Sequence, residues 1–188
     1  YNIGHGDVNH VILMPGTVNE CFEFAWKALD LAERYQTPIF VLSDLDLGMN
    51  TWVTEKFEYP NTPIDRGKLI WEEELEKIED WGRYKDIDGD GIPYRTVMGN
   101  RSPKSAYFTR GTGHDVYGNY NEDPKNWSDM LHRIEKKLNG AIEKLPKPVV
   151  IKGNNAKIGI IGMGSTDDAI KEAQAILAKQ GIETDYMR

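Results

Sequence analysis

The sequence predicts an α/β protein, because a strand-helix-strand order occurs in it twice. The first unit covers residues 10–42 and the second residues 157–187. In each, short apolar runs of strand length flank a longer stretch whose apolar residues recur every three to four positions. Such β-α-β units build parallel sheets with right-handed crossovers.

Residues 10–14 (HVILM) form the first predicted strand, closed by Pro15-Gly16. Thr17-Val18-Asn19-Glu20 then has the pattern of a capping box: a hydroxyl for the third helical N–H and a carboxylate reaching back. Apolar residues at 21, 25, 28, 32 and 35 predict a helix with a broad buried face. Thr37-Pro38 stops it, since proline lacks the N–H and restricts the residue before it. Residues 38–42 (PIFVL) predict a second buried strand, with Ser43-Asp44 at its carboxyl end.

Residues 50–66 show little periodicity and read as a connector. Residues 69–84 predict a helix dense in Glu and Trp, and residues 86–118 predict hairpins and loops. Asp123-Pro124 is a strong helix start, an acidic cap followed by proline at the first position. Trp127, Met130, Leu131, Ile134, Leu138, Ala141 and Leu145 continue it to Pro146. Lys152-Gly153-Asn154-Asn155 reads as a linker. Residues 157–161 predict a strand, Gly162-Met163-Gly164 a tight turn, and Ser165 or Thr166 a cap. The next helix ends at Gly181, a left-handed terminator, before a last strand at 182–187. Trp26, Trp71 and Trp127 are expected in the core, and the run Glu72-Glu73-Glu74 on a solvated face.

Several function classes are excluded at this stage. A net charge of −7 and a pI near 5.2 argue against a general nucleic-acid binder or an anionic-membrane binder. No apolar run has the length of a membrane span. The one cysteine, Cys21, can supply neither an internal disulfide nor a set of cluster ligands, and a reduced, cytoplasmic setting is expected. Tyr1 in place of Met, and a strand-like close at Asp185-Tyr186-Met187-Arg188, read as an interior piece of a longer protein. Such a piece is not expected to hold a complete active site.

Four groups of residues are candidates for chemistry. Asp86-Ile87-Asp88-Gly89-Asp90-Gly91 begins like a calcium loop, with oxygens at alternate positions and glycine at the sixth. It then fails, because Val97 stands where a bidentate Glu should complete the shell. The bland reading is a tight acidic turn, and the functional one is a calcium-dependent interaction module using Asp86, Asp88 and Asp90. Gly162-Met163-Gly164-Ser165-Thr166 follows a strand and opens a helix, the place where phosphates bind. Asp167 stands where a dinucleotide fingerprint needs a third glycine, so a nucleotide-binding protein is a weaker alternative to a sharp structural turn.

Arg110, His114 and Asp115 combine a fixed cation with a titratable pair, suited to clamping a carboxylate and moving protons; isolated, such a set is more often loop structure. Asp44 lies at the carboxyl end of a strand, where ligands of open α/β sheets bind. The remaining histidines, His5, His10 and His132, have no metal-ligand spacing between them.

Six stretches, in order, carry a family resemblance: HVILMPGTVNECFEFAWKALDLAERYQTPIFVLSDLDLGMN, DRGK, RYKDIDGDGIPYRTV, YFTRGTGHD, YNEDP and IGIIGMGSTDDAI. Together they resemble the α subunit of 2-oxoacid:ferredoxin (acceptor) oxidoreductases, most of all the 2-oxoglutarate type. The resemblance extends over essentially the whole chain. One departure is Met98 before Gly99, where the family pattern has proline.

The resemblance implies an oxidative decarboxylation of a 2-oxoacid to its acyl-CoA, with electrons passed to ferredoxin. It implies thiamine diphosphate, Mg2+ and a [4Fe-4S] cluster, held mainly through a β subunit, with none bound by this piece alone. Residues 1–50 would be the end of a pyrimidine-binding type domain, 51–155 a connector with hairpins and helices, and 156–188 the start of a transketolase C-terminal-like domain. The carboxylate that activates the cofactor would lie upstream. Asp44, Arg110, His114 and Asp115 are the residues expected near the active site or a subunit contact, and the acidic loop becomes a structural turn.

Overall fold

The computed structural model describes residues 9–109 and 111–188. In chain order its elements are β1 (Val11–Leu13), α1 (Val18–Tyr35), β2 (Ile39–Val41), α2 (Leu45–Met49), α3 (Glu72–Glu76), α4 (Pro124–Ala141), β3 (Val150–Ile151), β4 (Ile158–Ile161), α5 (Thr166–Lys179) and β5 (Thr184–Met187). They fall into two compact units. One contains Val11–Leu29, Ile39–Pro63 and Pro146–Arg188, and the other contains Asp30–Pro38 and Ile64–Leu145.

The first unit holds the strands of both predicted β-α-β motifs, with α5 and α1 as far as Leu29. β1 and β2 pair in parallel, Val11 opposite Ile39 and Leu13 opposite Val41. In the second sheet β5 is central, parallel to β4 and antiparallel to β3. The stretch expected to lead into a linker therefore supplies a strand, β3. Thr17 caps α1 as its hydroxyl predicts, accepting the Glu20 N–H at 3.1 Å. The Glu20 carboxylate reaches one residue further back than a capping box requires, to the Gly16 N–H at 2.7 Å. Val11, Leu13, Leu47, Thr184 and Tyr186 are buried. Thr184 and Tyr186 alternate with the less covered Asp185 and Met187, as a strand with one enclosed face must.

Three expectations for this unit need correction. Val41 and Leu42 at the end of β2 are exposed, so that strand is not fully buried. Ile176 and the alanines of the predicted α5 stripe, Ala169 and Ala173, are exposed as well. The Ser165 side chain makes no cap bond, and the Thr166 hydroxyl instead donates to the Met163 carbonyl at 2.7 Å.

The second unit is mostly loop. The helix predicted over 69–84 is only Glu72–Glu76, because its flanks are engaged elsewhere. Leu69 bridges Arg95, and the Tyr84 N–H donates to the Val116 carbonyl at 2.9 Å. The acidic first turn of α3 matches the helix dipole. The predicted hairpins reduce to a minimal one at 113–121, bridged by His114 and Tyr120. α4 starts as predicted: the Asp123 carboxylate accepts the N–H groups of Lys125 at 2.8 Å and Asn126 at 3.1 Å. Trp71 and Trp127 are 46% and 44% exposed, and are not core residues.

Lys137, in contrast, is 6% exposed. Its ammonium donates to the Gln36 carbonyl just beyond α1, at 3.4 Å. A helix C-terminus favours a cation, which explains how a lysine comes to lie on an inner face.

Candidate functional site

Asp44 ends the β2 segment and divides its carboxylate between two partners. Oδ1 accepts the Leu47 N–H at 2.9 Å, which caps α2. Oδ2 accepts the Ser165 N–H at 2.6 Å, in the turn that opens α5. These donors, Ser165 first and Leu47 second, hold the carboxyl below its ordinary pKa. Gly164 has φ +61, and a Cβ on it would overlap Asp44 Oδ2. The turn that resembles a phosphate cradle thus receives a carboxylate from its own chain.

Asp167, read from the sequence only as a misfit in a nucleotide motif, is 0% exposed. It accepts the Tyr186 hydroxyl at 2.9 Å and the Lys171 ammonium at 2.5 Å, and lies 3.3 Å from Arg188 Nε. Burial alone would raise its pKa; the Lys171 and Tyr186 hydrogen bonds and the Arg188 charge outweigh that and lower it. Burial, with this carboxylate as neighbour, pushes the Tyr186 hydroxyl up to about 12. Arg188 in turn binds Glu20 through both terminal nitrogens, Nη2 to Oε1 at 2.7 Å. Glu20 carried a hint of a role in its capping-box position, but nothing local marked Arg188 as its partner.

In the second unit, His114 stacks on Tyr84 with centroids 3.9 Å apart and planes 26° apart. Its Nδ1 faces the Asp115 carbonyl at 3.0 Å, and its own carbonyl accepts Asn126 Nδ2 at 2.8 Å. The Asp115 carboxylate turns into its own loop, accepting the N–H groups of Tyr117 at 2.9 Å and Asn119 at 3.0 Å. Burial acts to raise its pKa, and the Asn119 and Tyr117 donors overcome this and lower it. The two residues are adjacent but do not form an imidazole-carboxylate pair. His114, Tyr84, Asn126, Met130 and Arg133 line a cavity of about 110 Å³. Arg110 lies outside the described residues.

The acidic loop is filled from within. Lys68 Nζ lies 2.7 Å from Asp88 and 2.8 Å from Asp90, and Asp86 lies 3.8 Å from Lys136. Asp90 also accepts the Ile92 N–H at 2.9 Å. Gly91, the sixth position of the calcium pattern, has φ +82, and its Cβ site is 2.6 Å from the Lys137 backbone N of α4. Close packing against a helix accounts for that glycine without a metal. Added calcium is therefore expected to leave the melting temperature unchanged in a thermal-shift titration. A calcium-dependent rise of several degrees would restore the cation reading.

Residues 3–118 match the family described as "Pyruvate flavodoxin/ferredoxin oxidoreductase, thiamine diP-bdg". The chain is 31% identical to "2-oxoacid:ferredoxin oxidoreductase 2, subunit alpha" of Aeropyrum pernix, over 97% of this chain and 28% of that protein. It is 28% identical to "2-oxoglutarate synthase subunit KorA" of Methanocaldococcus jannaschii, over 98% of this chain and 47% of the relative. It also superposes on the solved structure titled "2-oxoglutarate:ferredoxin oxidoreductase from Magnetococcus marinus with 2-oxoglutarate, coenzyme A and succinyl-CoA bound". There the TM-score is 0.80 and identity 27%, over 97% of this chain and 31% of that one. The chain thus spans between about a quarter and a half of these proteins' lengths. Since the family match takes in more than half of its residues, the chain belongs to the pyruvate flavodoxin/ferredoxin oxidoreductase family, in its thiamine diphosphate-binding part.

Proposed function

We propose that this chain is part of the α subunit of a thiamine-diphosphate-dependent 2-oxoacid:ferredoxin oxidoreductase. Its substrate is a 2-oxoacid, with 2-oxoglutarate the first candidate. The carboxylate leaves as carbon dioxide, the acyl group passes to the thiol of coenzyme A, and the electron pair goes to ferredoxin. The observation that carries this reading is the match over 97% of the chain to the solved 2-oxoglutarate:ferredoxin oxidoreductase of Magnetococcus marinus. We place residues 1–50 in a pyrimidine-binding type domain, 51–155 in a connector and 156–188 in a transketolase C-terminal-like domain. A β subunit would bring the Mg2+ and the [4Fe-4S] cluster, and the assembled enzyme would be cytoplasmic. Among the described residues no helix is long and apolar enough to cross a membrane.

Thiamine diphosphate supplies a carbon nucleophile and an electron sink for decarboxylation. The described residues do not fit its diphosphate. The glycine turn at α5 already holds the Asp44 carboxylate, and Asp167 follows it. No group of three His, Cys, Asp or Glu able to hold a metal is found among the described residues. No chemical step is therefore assigned to a residue here, and Asp44, Arg110, His114 and Asp115 stay as proposals for active-site or subunit contact.

The test is to express the whole reading frame with the adjacent gene and follow viologen reduction. Reduction is expected to need a 2-oxoacid, coenzyme A and both chains. No reduction with any 2-oxoacid, despite bound cofactor and intact clusters, would mean that the likeness reports fold and not chemistry.

A further inference from the structure

Two carboxylates of the first β-α-β motif accept hydrogen bonds from the second. Asp44 follows β2 and binds the Ser165 N–H beyond β4. Glu20, in the α1 turn after β1, binds the guanidinium of Arg188 beyond β5. Each therefore runs from the carboxyl end of a strand in one sheet to the carboxyl end of a strand in the other.

Both receiving points are shaped for their guests. Gly164 has no Cβ where Asp44 Oδ2 sits, and Gly16 has none where the Arg188 guanidinium lies. The Arg188 pairing is two-pronged, a geometry that fixes direction as well as distance. Asp167 backs it from the far side at 3.3 Å. The α5 N-terminus offers free N–H groups and a positive dipole end to any anion, and here the anion is internal.

We infer that Asp44 and Glu20 form a two-point clasp between the two β-α-β motifs, and that the 162–165 turn is a carboxylate receptor and not a phosphate site. This goes beyond the catalytic reading and does not rest on it, since its test reads amide exchange and not turnover.

Hydrogen exchange of the Ser165 and Leu47 amides, measured in the intact protein, separates the clasp from plain helix capping. Asp44→Asn keeps an acceptor for Leu47 but turns donors toward Ser165. Exchange at Ser165 is expected to rise by about tenfold or more while Leu47 stays protected. Gly164→Ala should do the same by displacing Oδ2 with a methyl group, and it serves if the Asp44→Asn variant does not fold. Gly181→Ala is the control. It carries a similar left-handed strain at φ +78, with nothing within 4 Å of its Cβ site. It should leave Ser165 protected.

Unchanged exchange at Ser165 in the Asp44→Asn and Gly164→Ala variants would overturn the clasp. So would equal acceleration by Gly181→Ala, which would reduce the effect to general loosening of α5. Inorganic phosphate should not protect Ser165 further in the unaltered protein, and phosphate-dependent protection there would restore the phosphate site.

Discussion

Asp167→Ala is expected to lower the unfolding free energy by about 3–5 kcal/mol, the usual cost of removing one partner from an enclosed ion pair. The carboxylate has no exposed surface, and three groups converge on it: the Tyr186 hydroxyl, the Lys171 ammonium and the Arg188 guanidinium. Alanine leaves the hydroxyl of Tyr186, a residue only 1% exposed, and an arginine both facing a void. Lys171 reaches solvent and can rehydrate, so its share of the loss is small.

Asp167→Asn should cost less, because an amide oxygen still accepts from Tyr186. Urea unfolding of the three proteins tests this; a loss below about 1 kcal/mol for alanine would show that the network contributes no more than surface pairs do. The sign with pH follows from the lowered pKa. The stabilisation is present above the ordinary carboxylate range and is lost as pH falls through and below it.

Lys137 gives a dependence of the same sign, in an alkaline window. Burial first, then the charges of Arg133 and Arg83, lower its pKa from 10.5 to about 8. Between those values the unfolded chain binds the proton that the folded chain has released, so stability rises with pH. At about 1.4 kcal/mol per pH unit the rise amounts to about 3 kcal/mol between pH 8 and 10.5. Other lysines and tyrosines titrate in the same window, so the measurement is a difference. Unfolding free energies of the unaltered protein and Lys137→Met are compared at matched pH. The gap between the two curves is expected to change by that amount across the window. Parallel curves would mean that Lys137 is as well solvated folded as unfolded.

The two β-α-β motifs and α4 were legible because their signals are local. The Thr17 hydroxyl, the Asp123-Pro124 start and the Gly181 stop act within one turn of where they stand. The helix expected over 69–84 failed for a non-local reason, since Arg95 and Val116 take up its flanking backbone groups. Asp44 was singled out by place, at the end of a strand. Its partner lies 121 residues away, and that of Glu20 168 residues away, beyond any periodicity. Lys137 was within reach. Met130, Ile134, Lys137 and Ala141 recur at helical spacing, and a charge inside that stripe is the visible trace of a buried cation. The DIDGDG loop was read as a structural turn, because Val97 stands where the metal pattern needs a glutamate; Lys68 supplies the positive charge that its carboxylates face.

Arg188 also has a consequence for how the second sheet assembles. Strand side chains alternate between faces, so slipping β5 by one residue would turn Thr184 and Tyr186 outward and bring Asp185 and Met187 inward. It would also carry the guanidinium away from Glu20 and deprive Asp167 of its hydroxyl donor. A misaligned β5 could still make ladder bonds to β4, but it would forfeit every charged contact at once. The arginine beyond the strand therefore favours the native register over offset pairings that the backbone alone would accept.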